Sequence, residues 1–172
     1  MNTLASAPSV ATAESGSQYS LFRRHNQSFC IDVTHLQEVL QQSLVTPVPQ
    51  SPPALAGVMN LRGDVLPVLL VDSWLRLPEQ PYDPSRPVLV LRRKDLLVGI
   101  QVDSVQRVGF VPRSEVLPTP LSTQASYWAG IWFRPDQELS TLLDGGALLD
   151  AIRDSIAGKF NTPTEAPALS AA

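Results

Sequence analysis

Apolar residues in this chain never run long. They come as blocks of four to seven: Tyr19–Phe22, Ser28–Ile31, Val65–Val71, Val88–Leu91, Leu96–Val102, Val105–Val111, Tyr127–Phe133 and Leu139–Leu143. Each block has the length of a β-strand, several are rich in Val and Ile, and polar turns such as Arg23-Arg24-His25-Asn26-Gln27 and Arg92-Arg93-Lys94-Asp95 separate them. Sixteen prolines lie among the connections, where they suit edges and turns and would disrupt helices or central strands. The pattern predicts a mainly β, largely antiparallel protein.

Two segments depart from that rhythm. Thr34-His35-Leu36-Gln37 reads as a capping box, with Asp32 as a rival cap, and Val33, Leu36 and Leu40 recur at helical spacing. A short helix is therefore expected near 33–42. A second is expected near 145–157, where Asp144 precedes two glycines and Leu148, Leu149 and Ile152 form an apolar stripe, so that the helix lies as a lid on the strands. Residues 1–18 and 159–172 are mostly small and polar and bury too little apolar surface to offset ordering, so both are expected to be mobile tails around a folded unit at 19–158.

Composition excludes several functions. With 13 Lys and Arg against 16 Asp and Glu, the net charge is −3, and nucleic acid or an anionic lipid surface ordinarily demands a basic face. No apolar run nears the roughly 20 residues of a membrane span, and Met1–Gln18 lacks the pattern of a signal peptide, so a cytoplasmic protein without membrane insertion is expected. The single cysteine, Cys30, rules out an internal disulfide and a paired-thiol metal motif.

Catalytic signatures are equally scarce. No GxSxG, HExxH, GxGxxG or GxxxxGK[ST] string occurs, and neither His25 nor His35 lies in a pattern with Cys30 or paired acids. No metal or cofactor is expected. Asp32, Asp72, Asp103 and Asp144 each end an apolar block, a position that suits a turn or a helix cap. Trp74, Trp128 and Trp132 read as packing residues. The tripeptide Arg62-Gly63-Asp64 matters for its setting: it is a charged turn between two apolar strands, presenting an arginine with five rigid donors.

That turn carries a wider resemblance. Gly57-Val58-Met59-Asn60-Leu61-Arg62-Gly63-Asp64-Val65-Leu66-Pro67-Val68 resembles the G-v-x-N-L-R-G-x-v-x-P-v signature of CheW-like domains, the coupling proteins of bacterial chemosensory arrays. YSLFRRHNQSFCIDVTHLQEVL resembles that family's opening hairpin and v-Q-E-V segment; TPVPQSPPALAGVMNLRG its proline-rich approach; LLVGIQVDSVQRVGFVP its G-x-x-V-D-x-V stretch; and YWAGIWFRPDQELSTLLDGGALL its closing strands and helix. All fall in the family's order over about residues 19–153.

The resemblance implies two SH3-like, five-stranded β-barrel lobes sharing a core, and no catalysis. It implies two partners: the regulatory domain of a chemosensory histidine kinase and the cytoplasmic tip of a methyl-accepting receptor. By position in the motifs, the interface residues would be Leu36, Glu38, Asn60, Arg62 and Gly63, with Val98 and Gly99 as a second groove wall. The chain departs from the family after Pro67, where relatives read v-D-L-R: Leu70 replaces the acid and Asp72 the arginine. Swimming, type IV pilus motility and other outputs stay open, as do two other classes of function: a small-molecule-binding barrel, and an enzyme with an unsigned acid pair such as one including Asp103.

Overall fold

The computed structural model describes residues 15–119, 125–136 and 138–160. Three two-residue turns set its hairpins. β1 (Gly16–Arg24) returns as β2 (Gln27–Asp32) through His25 and Asn26, both at positive φ; β4 (Leu55–Leu61) returns as β5 (Asp64–Leu70) through Arg62 and Gly63, at φ 55° and 99°; β6 (Val88–Arg93) returns as β7 (Leu96–Gln101) with Lys94 at φ 53°. Left-handed backbone at such turns matches the right-handed twist of the strands they join.

The strands form two sheets. With β3 (Leu36–Leu40), β8 (Ser104–Pro112), β9 (Val116–Leu117), β10 (Trp128–Phe133) and β11 (Leu139–Leu143), the orders are β8-β1-β2-β11-β10-β9 and β3-β6-β7-β5-β4. Chain order explains how the lobes interlock. The first lobe takes both ends of the chain, closing with a parallel β11–β2 pair, and the second is inserted between β2 and β8 with its own parallel β5–β7 pair. The second lobe has the five strands expected; the first has six, because after the 3-10 turn Arg113–Glu115 the chain adds β9 beside β10.

Each lobe has a private core, and the two share a third. Leu21, Cys30, Val111, Trp132 and Leu142 fill the first barrel; Leu61, Leu66, Val68, Val88 and Val90 fill the second. Between them Phe22, Phe29 and Ile31 from one sheet meet Leu69, Leu89, Leu91, Val98 and Ile100 from the other. Leu148, Leu149 and Ile152 of helix α1 (Gly145–Phe160) pack into this shared layer, as expected of a lid. Trp74 and Trp128 pack against its margin, and Trp132 lies inside the first barrel with its ring N–H donating to Glu115 at 2.9 Å.

The helix expected near 33–42 is instead strand β3. Leu36 pairs with Leu91 and Glu38 with Val90, so Gln37 is an extra residue bulged out of the ladder. The bulge shifts the alternation by one: Leu36 and Val39 pack on the shared core, whereas Leu40 packs on the second barrel's core. Apolar residues three or four apart thus imitate a helix. Asp32 links this turn to the real helix, its carboxylate accepting from the Thr34 amide at 3.2 Å and the Gly145 amide at 2.8 Å, while Asp144 caps the Ala147 amide at 2.8 Å. Gly16–Gln18, read as part of the leading tail, are the first residues of β1, held by pairing with Phe110–Pro112. At the other end α1 runs to Phe160, so residues 159 and 160, read as the start of the trailing tail, belong to the helix; residues 1–14 and 161–172 lie outside the described residues.

Burial fixes the chemistry of Cys30. It pushes the thiol up to about 11, from an ordinary 9.0, against opposing contributions from Ser140 and Arg134. The folded chain thus keeps a proton that the unfolded chain releases. Stability conferred by this group is complete below pH 9 and falls as pH rises from about 9 to 11, by about 1 kcal/mol per pH unit. Urea melts at pH 8 and pH 10.5 are expected to show that loss, and Cys30→Ala to show a smaller one; equal losses would remove Cys30 as the cause.

Candidate protein-docking site

The β4–β5 turn presents the site. Two consecutive left-handed residues leave Arg62 at the apex, and the Asn60 side-chain oxygen accepts the Gly63 amide at 3.0 Å, which stiffens the tip. The Arg62 side chain is 76% exposed and donates one N–H to Glu38 of β3 at 3.0 Å. Glu38 is only 21% exposed, and its other oxygen is buried without a hydrogen-bond partner. The acid is therefore the fixed member of the pair, and the guanidinium keeps most of its donors for a partner's carboxylates or carbonyls.

Exposed apolar side chains lie around Asn60, at the foot of that turn. Leu44 is 83% exposed and Val65 69%. Leu44 lines a depression of about 640 Å³ with Gln42, Ser43, Met59, Asn60, Pro84 and Ser85, at the seam between the segment after β3 and β4. The seam is tied on one side by the Arg62–Glu38 pair and on the other by the Thr46–Val58 backbone bonds of 2.8 and 2.9 Å. Gly57 lies there at φ 156°, where a Cβ would come within 2.5 Å of the Thr46 carbonyl oxygen.

Of the residues expected at the interface, the structure groups Glu38, Asn60, Arg62 and Gly63. Leu36 faces the shared core because of the bulge and borders a different depression, with His35, Gln37, Arg92 and Lys94. Val98 and Gly99 are not a groove wall: Val98 is in the shared core, and Gly99 is buried in the row Glu38–Val90–Gly99–Val68, where a Cβ would lie 2.7 Å from Val88 Cγ1. They support the site from beneath. Leu44 and Val65 escaped sequence reading, although Val65 is paired with Asn60 and so sits on the outward face of β5.

Sequence reading also missed a buried charge network at the lobe junction. Asp72, one of the departures from the family pattern, takes a two-pronged hydrogen bond from Arg24, Nε and Nη2 each at 2.6 Å, and both groups are buried. Arg24 also reaches Asp103 at 3.2 Å, which in turn takes Arg86 at 3.0 Å and the His25 amide at 2.7 Å. Burial opposes the Arg24 charge, but Asp72 and Asp103 more than compensate and raise its pKa above the ordinary value. Asp103 is thus spoken for as a structural partner. Among the described residues no three His, Cys, Asp or Glu side chains stand close enough to hold a metal ion.

A stiff, exposed arginine near exposed apolar side chains, on a frame whose barrels are filled by their own residues, is what a candidate protein-docking module would present. Comparison with known proteins specifies which. The model of the CheW-like domain matches residues 18–153. The chain is 34% identical to "Chemotaxis protein CheW" of Rhizobium meliloti (strain 1021) over 107 residues, 61% of this chain and 68% of that one. It is 28% identical to "Chemotaxis protein CheW" of Bacillus subtilis (strain 168) over 82% of this chain and 92% of that one, and 29% identical to "Protein FrzA" of Myxococcus xanthus over 84% and 92%. In three dimensions it is similar to the scaffolding protein TtCheW of Thermoanaerobacter tengcongensis, with a TM-score of 0.66 at 19% identity over 76% of this chain and 90% of that one. The chain belongs to the CheW-like domain family, whose members are chemotaxis scaffolds and adaptors, not enzymes.

Proposed function

We propose that this chain couples a chemosensory histidine kinase, through the kinase's regulatory domain, to the cytoplasmic tip of a methyl-accepting receptor, and that it works in the cytoplasm at receptor arrays. The observation that carries the reading is the Arg62–Glu38 pair: an arginine raised on a stiff turn and anchored by a half-hidden acid, with exposed Leu44 and Val65 beside Asn60 at the foot of the turn, in a chain of this family. Asn60 and Gly63 shape the turn; Leu36, Val98 and Gly99 hold the strands beneath it. Arginine and large apolar groups together make the residues on which interface energy concentrates. No helix among the described residues is long and apolar enough to cross a membrane. The small-molecule reading loses ground because Trp132, Cys30 and Leu142 occupy one barrel interior, and Leu66, Val68 and Val90 the other.

Gel filtration of the purified chain with a kinase regulatory domain, with a receptor-tip fragment and with both is the test. Co-elution with each, and a three-component peak, is expected. Separate elution of all three components would overturn the proposal.

A further inference from the structure

His25 sits where the charge network meets the proline-rich connection between β5 and β6. Arg86 donates from Nη1 to the Gln80 side-chain oxygen at 2.5 Å. A guanidinium has only donors, so it fixes which end of the Gln80 amide faces it. The amide nitrogen therefore points the other way, 3.1 Å from His25 Nδ1. A donor there requires Nδ1 to be an acceptor, so the imidazole is neutral, with its proton on Nε2. That atom is buried without a hydrogen-bond partner, 3.6 Å from Asp72 Oδ1.

We infer that His25 is an acid-operated latch: proton uptake at Nδ1 breaks its bond to Gln80 and frees the adjoining stretch of the connection. A proton on Nδ1 sets two donors face to face. Gln80 cannot rotate to relieve this, because rotation would turn its NH₂ group onto Arg86. The charged groups around the ring are Arg24 at the end of β1, Asp72 after β5, Arg86 before β6 and Asp103 before β8. Asp72 Oδ1, which already accepts from Arg24 Nε, is the carboxylate oxygen 3.6 Å from His25 Nε2, and an imidazolium would be drawn toward it, away from Gln80. Only part of the connection is released. Tyr82 stays bonded to Ser43, and the Asp83 amide stays bonded to Gln101 at 3.1 Å. Gln80 and Pro81 wall a cavity of about 250 Å³ whose lining includes Asp72, so release opens the cover over the buried pair.

NMR of the full chain between pH 8 and 5.5 tests the latch. The Gln80 side-chain NH₂ signals and its backbone amide, which donates to Asp72 at 3.1 Å, are expected to shift with the same midpoint as the His25 ring. Exchange of that backbone amide should quicken about tenfold below the midpoint. His25→Asn keeps the turn, since asparagine tolerates the residue's φ of 51°, and should abolish the response. In Gln80→Glu a carboxylate accepts from Arg86 and imidazolium alike, so the ring midpoint should rise. Four results would each overturn the latch: a ring that does not titrate, Gln80 signals indifferent to its titration, a response that survives in His25→Asn, or an unmoved midpoint in Gln80→Glu.

Discussion

Replacing Asp72 with alanine is expected to destabilise the fold by about 3 kcal/mol or more, since it leaves the Arg24 guanidinium buried with half its partners gone. The two-pronged bond to Arg24 is lost outright, and Asp103, at 3.2 Å from a single nitrogen and already engaged by Arg86, compensates only in part. For a domain of this size that means a melting temperature lower by about 10 °C. The double variant Arg24→Leu/Asp72→Leu separates charge from packing: it should recover most of the loss, because removing both members strands no charge. Melting curves decide it. A single-variant loss under about 1 kcal/mol would mean that water reaches the pair and screens it.

A larger loss is expected from a charge placed in the middle of a sheet. Val90 and Ile100 are fully buried, Val90 in the second barrel's own core and Ile100 in the layer between the lobes. An aspartate at either position finds no cation and costs several kcal/mol, comparable with the whole stability of a small domain. Both Val90→Asp and Ile100→Asp should be unfolded or aggregated at 25 °C by circular dichroism. Cooperative native-like melting of either would contradict the burial on which the lobe description rests.

Much of the strand layout was legible because hairpins are local. Alternating apolar blocks and two-residue turns fix β1–β2, β4–β5 and β6–β7 within a few residues of sequence. Helix α1 was readable for the same reason: the Asp144 cap and the Leu148, Leu149 and Ile152 stripe lie side by side. β3 was misread because its bulge at Gln37 depends on a partner strand some fifty residues away, and a one-residue slip in a period of two mimics a helical stripe. The Arg24–Asp72 pair was invisible for a related reason. Forty-eight residues separate its members, and only the meeting of the two lobes brings them together. Arg62 and Glu38 were legible through the motif, whereas Val98 and Gly99 share that motif-derived standing yet lie inside, since a recurring residue can serve the packing beneath a site as readily as the site itself.

The central claim is that Arg62 serves recognition and contributes little to folding. Its side chain is 76% exposed, so Arg62→Ala should cost at most about 1 kcal/mol of stability. An arginine desolvated at the centre of an interface carries about 2 kcal/mol or more, which is roughly a 30-fold loss of affinity. Glu38→Ala should give a smaller loss, and the double variant less than the sum. The decisive measurement is the affinity of folded Arg62→Ala protein for the kinase regulatory domain and the receptor tip, with its melting curve taken alongside. The account predicts native melting and binding to at least one of the two weakened about 30-fold; undiminished binding to both by the folded variant would contradict it.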